Sequence, residues 1–330
     1  MPTSQQIQQA IGQAEHILVI THIGPDGDAF GSLTAIGQAL AQWGKQATLV
    51  CDDPIPGRFR YLPLAEAVKT TAGGGAAYYD LVIAVDCGDE KRMGQVYANL
   101  PAPLPFLINI DHHITNTYFG NINFVNPEAT SSAEMLYLLF REWDVIITAD
   151  IALSLLTGLV TDTLGFRTMG VSARTLRIGS ELMDAGADLN LVTTQGLKLK
   201  PMSTLRLWQA GLNKMKLERG LIWASLSREE LKALGHTSSS SGGLVNLMSD
   251  VDQAAISAVL LEMPDGTIQV GFRCHPPYSV SELALNLGGG GHPLAAGCNL
   301  PGPLAAAELL VVKMSKEAIS QQQAQLRNGH

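Results

Sequence analysis

The 330 residues are 46% hydrophobic and 16% charged, which excludes a disordered chain and leaves room for two separate cores. A net charge of −8 argues against gripping long nucleic acid, and no apolar run approaches the about 20 residues of a membrane span. The four cysteines, Cys51, Cys87, Cys274 and Cys298, lack zinc or redox spacing, and no basic stretch precedes an apolar one at the N-terminus. Reduced thiols in a cytoplasm are therefore expected.

In chain order, HILVIT (16–21) reads as a buried strand. The spacing of Leu33, Ile36, Leu40 and Trp43 predicts a helix from about Ser32, closed by Gly44. ATLVCD (47–52), DLVIAVDCGD (80–89) and PFLINIDHH (105–113) are three more buried strands. Helices are expected at about 131–143, 149–161 and 172–185. This alternation predicts an α/β fold, a mostly parallel sheet with helices on both faces. AGGGA (72–76) precedes a strand instead of following one, and Asp52 and Asp53 run into Pro54, so both stretches read as turns.

The pattern weakens after about 187 and Pro201 opens a new helix. This sets a first domain at 1–187, a linker at 188–200 and a smaller α/β domain at 201–330. The second domain should hold a strand near 216–226, a helix from a capping box at Ser227 and Glu230, and a flexible HTSSSSGG loop (236–243). AAISAVLLEM and TIQVGFR flank Pro264-Asp265-Gly266 as a hairpin. A helix at 280–287 leads into GGGGHPLAAG (288–297), and a long C-terminal helix ends in a polar tail expected to fray. Residues 1–190 hold 10 Lys and Arg against 20 Asp and Glu, whereas residues 191–330 hold 12 against 10. The acidic part suits bound cations and the remainder can meet an anion.

His22, Asp26 and Asp28 fall within THIGPDGDAFGS, just after the first strand. Asp86 ends the third strand, and Asp111, His112 and His113 end the fourth. In an open parallel sheet these positions share the carboxyl edge, where such folds bind ligands. Asp162, ending an apolar helix in GLVTDTLGFRT, can face the same crevice. Five carboxylates there would repel one another unless cations intervene. Imidazole and carboxylate donors suit manganese or another divalent metal of intermediate hardness. Six or more donors exceed one ion's needs, so two ions are expected, about 3.5–4 Å apart with a shared carboxylate. Singly, an Asp at a strand end is usually a cap and a lone His is usually structural; the recurrence favours chemistry. GGGGHPLAAG reads either as a plain glycine-rich link or as backbone N–H groups open to an anion, with His292 adding a donor. Arg273, on the preceding strand, offers a planar fork for phosphate.

In order, HIGPDGDAFGS, VDCGD, DHH, TDTLGFR and GGGGHPLAAG resemble the motifs of DHH phosphoesterases with a DHH-associated C-terminal domain, over nearly the whole chain. Length and domain content resemble the nanoRNase group, oligoribonucleases that also remove a phosphate from 3′-phosphoadenosine 5′-phosphate. The resemblance implies manganese-dependent hydrolysis, with His22, Asp26 and Asp86 on one ion and Asp28, Asp86, His112 and Asp162 on the other. It places His113 beside the scissile phosphate and Asp111 behind it. It assigns Arg273, Gly289, Gly290, Gly291 and His292 to a substrate-binding lobe, with substrate in the cleft between domains. The chain departs from the family pattern at Leu164, before Gly165, and at Cys274 and His275, after Arg273. Implied partners are short oligoribonucleotides and small nucleotides, with no tracking of long nucleic acid and no membrane; a homodimer is compatible. The alternative activity is a cyclic or linear dinucleotide phosphodiesterase, and the alternative class is a non-catalytic nucleotide-binding regulator.

Overall fold

Short β-branched runs build a five-stranded, all-parallel sheet from β1 (Ile17–Ile20), β2 (Ala47–Val50), β3 (Leu81–Val85), β4 (Phe106–Asp111) and β5 (Ile122–Val125). The strand order is β2-β1-β3-β4-β5. The computed structural model describes residues 3–73, 79–236 and 240–328 and divides into two units, Met1–Leu199 and Lys200–His330. Residues 74–76 of the expected AGGGA turn and 237–239 of the expected HTSSSSGG loop lie outside the described residues.

The first unit also contains α1 (Thr3–Gln13), α2 (Gly27–Gln42), α3 (Gly94–Ala98), α4 (Ser132–Glu142), α5 (Ala149–Asp162), α6 (Ala173–Asp184) and α7 (Leu189–Val192). Alternate strand residues feed two cores. Ile17, Val19, Ile83 and Val85 pack with residues of α1, α2, α4, α5 and α6, while Leu18, Ile20, Val82 and Ala84 pack with Met93, Val96 and Tyr97. Both faces are covered, as a parallel sheet requires. α2 and α5 approach closely at two glycines: a Cβ on Gly31 would lie 2.5 Å from Ser154 O, and one on Gly158 would strike the Asp28 carboxylate.

Four details of this unit differ from expectation. α1 announces itself only through Ile7 and Ile11 among glutamines, and β5 is a four-residue, half-buried edge strand. α2 starts at Gly27, not near Ser32, because the Asp26 carboxylate caps it, accepting from the Asp28 and Ala29 N–H groups. Residues 189–198, read as linker, are helical, with α7 running into a π-turn at Thr193–Lys198.

The second unit is built on a six-stranded sheet, β6 (Lys216–Glu218), β7 (Leu221–Leu226), β8 (Ile256–Glu262), β9 (Thr267–Cys274), β10 (Gly290–His292) and β11 (Ala295–Pro301), in the order β10-β11-β9-β8-β7-β6. Its helices are α8 (Met202–Lys214), α9 (Arg228–Ala233), α10 (Leu244–Ser249), α11 (Ser281–Asn286) and α12 (Leu304–Asn328). The hairpin at Pro264–Gly266 and the capping box on α9 form as expected. The single strand expected at 216–226 is instead a second hairpin, turning at Arg219 (φ 51°) and Gly220 (φ 81°). α12 continues through the polar tail to Asn328, since neither glycine nor proline interrupts it. Among the described residues no helix is long and apolar enough to cross a membrane.

Candidate metal centre

The carboxyl edge of the parallel sheet collects the titratable side chains. The strand order reverses between β1 and β3, the place where open α/β sheets leave a crevice. His22 follows β1 and Asp86 follows β3, so the two flank that crevice. Asp111 ends β4 with His112 and His113 next in the chain; Asp26 and Asp28 open α2, and Asp162 closes α5.

Three overlapping groups result, each with donor atoms within 4.8 Å of one another: His22, Asp26 and Asp86; Asp28, His112 and Asp162; and Asp86, His112 and His113. Asp86 is their hinge. Its Oδ2 lies 3.4 Å from His22 Nε2, while its Oδ1 lies 3.7 Å from His112 Nε2 and 3.8 Å from His113 Nδ1. His112 Nε2 also lies 3.3 Å from Asp162 Oδ2 and 3.9 Å from Asp28 Oδ2. All six residues expected as metal ligands are therefore brought together. Asp86 reaches its place in a left-handed backbone conformation, φ 60°, which L side chains seldom adopt and which clusters at functional sites.

Helix ends set the local field. The N-terminus of α4 points at the cluster: Ser132 N–H donates to Asp28 Oδ2 (2.6 Å), Ala133 N–H to Asp28 Oδ1 (3.0 Å), and Ser132 Oγ to Asp86 Oδ1 (3.0 Å). Asp162 stands at the opposite kind of end, the last residue of α5, where the helix dipole disfavours a carboxylate. Burial pushes the Asp86 carboxyl well above the ordinary range, and the charges of Asp28 and Asp26 add to it. Burial and the same two neighbours act likewise on Asp162, and burial also raises Asp28. Burial lowers His22. Among the described residues no lysine or arginine ion-pairs with any of these carboxylates. A donor set of imidazole nitrogens and carboxylate oxygens, short of positive charge, fits divalent cations of hard or intermediate character.

His113 and Asp111 behave differently. His113 Nδ1 lies 2.7 Å from Asp111 Oδ1, and Asn116 Nδ2 donates to Asp111 Oδ2 at 2.6 Å. Burial acts upward on Asp111, but His113 and Asn116 outweigh it and hold the carboxyl below its usual value.

Five contributors were not anticipated from the sequence. Ser132 and Asn116 are two; their only signal is the helix-start pattern TSSAE and an Asn near the DHH triplet. Asp52 and Asp53, expected as a plain turn, tie segments together. Asp52 accepts from the N–H groups of Gln95 (2.5 Å) and Val96 (2.7 Å), and Asp53 Oδ2 accepts from Gly24 N–H (2.6 Å) in the loop between His22 and Asp26. Arg92 places Nη2 2.9 Å from His22 Nδ1. Arg167, in the fourth motif, turns back to donate to Leu164 O.

In the second unit, His292, Ala295 and Arg273 lie in one register row across β10, β11 and β9. The row puts the two side chains on one face of the sheet, with their Cα atoms two strand spacings (about 10 Å) apart and Ala295 on the strand between. Arg273 is half-buried, and its Nη1 donates to Phe272 O. A Cβ on Gly289 or Gly291 would collide with the backbone of β11. These two glycines thus serve close strand packing, whatever else they meet.

The chain matches two family models, "DHH family, N-terminal domain" over residues 16–159 and "DHHA1 domain" over residues 231–321. It is 34% identical over 293 residues to the bifunctional oligoribonuclease and PAP phosphatase NrnA of Thermus thermophilus, spanning 87% of this chain and 84% of that protein. A probable bifunctional oligoribonuclease and PAP phosphatase NrnA of Streptococcus mutans is 26% identical over 301 residues, 91% of this chain and 94% of that one. Among solved structures, an exopolyphosphatase-related protein from Bacteroides fragilis shares the fold, with a TM-score of 0.85 at 23% identity over 98% of this chain and 97% of that chain.

Proposed function

The chain belongs to the DHH family of phosphoesterases, and from that membership we propose a manganese-dependent hydrolase of short oligoribonucleotides that also converts 3′-phosphoadenosine 5′-phosphate to AMP in the cytoplasm. The observation that carries the reading is Asp86, whose two oxygens face two donor groups. The names of the two relatives support the substrate class. The charge balance of the first 190 residues, 10 basic against 20 acidic, supports short substrates over long ones.

In this reading His22, Asp26 and Asp86 hold one ion, and Asp28, Asp86, His112 and Asp162 hold the other. When bound, the pair supplies a nucleophile at neutral pH and neutralises charge on the phosphoryl group. The protein's own part is orientation. Ser132 and the α4 N-terminus fix Asp28 and Asp86. The Asp111 carboxylate, held as an anion, accepts the His113 Nδ1 proton and thereby fixes the ring and its tautomer. Nε2 of His113 is then the atom left to hold or move a proton at the substrate. Arg273 and His292, with the backbone of Gly289, Gly290 and Gly291, contribute substrate contacts from the second unit.

Release of mononucleotide from an end-labelled diribonucleotide, with and without manganese, tests the proposal. Manganese-dependent release is expected. Binding of the dinucleotide without any turnover, under manganese or other divalent ions, would instead identify a regulator.

A further inference from the structure

His22 Nδ1 has two neighbours that make opposite demands. Ile23 O lies 2.8 Å away and can only accept a proton; Arg92 Nη2 lies 2.9 Å away and can only donate one. One ring nitrogen cannot serve both. When His22 gives its Nε2 lone pair to a cation shared with Asp86, as the phosphoesterase reading requires, its proton sits on Nδ1 and goes to Ile23 O. The Arg92 guanidinium then finds no acceptor on the ring it adjoins.

Nor does it find one elsewhere. Among the described residues no carboxylate ion-pairs with Arg92. The guanidinium is not needed to hold its own segment either. Ile23 N–H donates to Arg92 O at 2.7 Å, Asp89 caps the turn through Lys91 N–H, and Met93 is buried next door. A half-buried cation is thus kept beside a carboxylate cluster without help from its own guanidinium, in a stretch where acids outnumber bases 20 to 10. Five donors in a rigid fork suit an anion arriving from outside the chain, and phosphate above all.

We infer that Arg92 is a phosphate-binding residue, gripping a substrate phosphate on the His22 side of the metal centre. The inference rests on the phosphoesterase reading for the identity of the anion. The phosphate is either the reacting one or its neighbour along the nucleotide chain, and both present the same oxygens to the fork.

The experiment uses the full chain with manganese, wild type against Arg92→Gln and Arg92→Lys. Metal content, melting temperature, the Kd of inorganic phosphate by calorimetry, and kcat and KM on diribonucleotides with and without a 5′-phosphate are measured. Metal content and melting temperature should match the wild type. Phosphate affinity should fall about tenfold or more in Arg92→Gln, with Arg92→Lys in between because it keeps the charge but not the fork. An equal loss of kcat/KM on both dinucleotides places Arg92 on the reacting phosphate, and a loss confined to the 5′-phosphorylated one places it on the neighbour. Unchanged phosphate affinity in Arg92→Gln, or loss of metal from it, overturns the inference. Phosphate calorimetry needs no turnover, so it decides the matter even if the diribonucleotide proves not to be a substrate.

Discussion

The hydroxyl of Ser132 donates to Asp86 Oδ1 across 3.0 Å, so the first residue of α4 orients the carboxylate at the hinge of the site. Ser132→Ala removes that bond and keeps the backbone N–H that binds Asp28. Metal affinity should fall about 10- to 100-fold, the usual cost of losing an outer-sphere partner, with melting temperature nearly unchanged. A metal titration by calorimetry checks this.

Asp86→Asn should be the most damaging single change among the six ligand positions. It weakens both donor groups at once, so the loss of kcat/KM should exceed the about 100-fold ceiling of outer-sphere changes. The bound metal count should fall below two per chain. Elemental analysis showing two ions with near-normal turnover would remove the shared-ligand assignment.

Metal removal should make stability depend on pH in a definite sense. Asp28, Asp86 and Asp162 have carboxyls raised by burial, so between the ordinary carboxylate range and their raised values the folded chain binds more protons than the unfolded one. Stability in EDTA should therefore fall as pH rises through that window. His22, lowered by burial, acts in the opposite sense near pH 6.5, one group against three. The manganese-induced rise in Tm should then be larger at about pH 8 than at about pH 5, because cations replace the missing protons. A Tm increment independent of pH would contradict the placement of these carboxylates.

Asp52 and Asp53 should separate stability from metal binding. Asp52→Ala loses two short bonds to the start of α3 and should cost about 1–3 kcal/mol of stability with metal affinity little changed. Asp53→Ala frees Gly24 in the loop between His22 and Asp26, and should raise the manganese concentration for half-maximal activity. Chemical denaturation and metal-dependence curves on both variants tell them apart.

Substrate length should follow charge. Each phosphate beyond the metal site meets a surface poor in Lys and Arg, so kcat/KM should be highest for two- to five-nucleotide chains and drop about tenfold, about 1.4 kcal/mol, by about twenty. A ladder of end-labelled oligoribonucleotides measures it. Equal or faster cleavage of long single strands at physiological salt would reject the short-substrate reading.

The parts of this architecture legible in sequence are those written as local pattern. ILVI and LVIAV are wholly apolar, FLINID is mainly apolar up to Asp111, and the candidate ligands follow each run within two residues, so strand end and chemistry coincide in the sequence. α1 and β5 escaped because Ile7 and Ile11 are isolated and INFV is short and only half-buried. The start of α2 escaped because Asp26 both caps the helix and belongs to the cluster, and a turn-like GPDGD hides the first role. Ser132, Asn116 and Arg92 depend on contacts across 46, 5 and 70 residues of chain, and such pairings leave no periodic trace.

The glycine crossing of α2 on α5 has a bearing on ion size. Asp28 opens one of these helices and Asp162 closes the other, and where they meet, Gly31 abuts Ser154 O and Gly158 abuts Asp28 itself. The approach of the two helices is thus limited by main chain at Gly31 and Gly158, with the Thr161 side chain packed against Gly27 beside the carboxylates. A cation held between Asp28 and Asp162 that demands longer bonds, as calcium does compared with magnesium or manganese, would have to move helix backbone at that crossing. In the two-ion reading, radius discrimination between Asp28 and Asp162 therefore rests on this backbone packing as well as on the ligands.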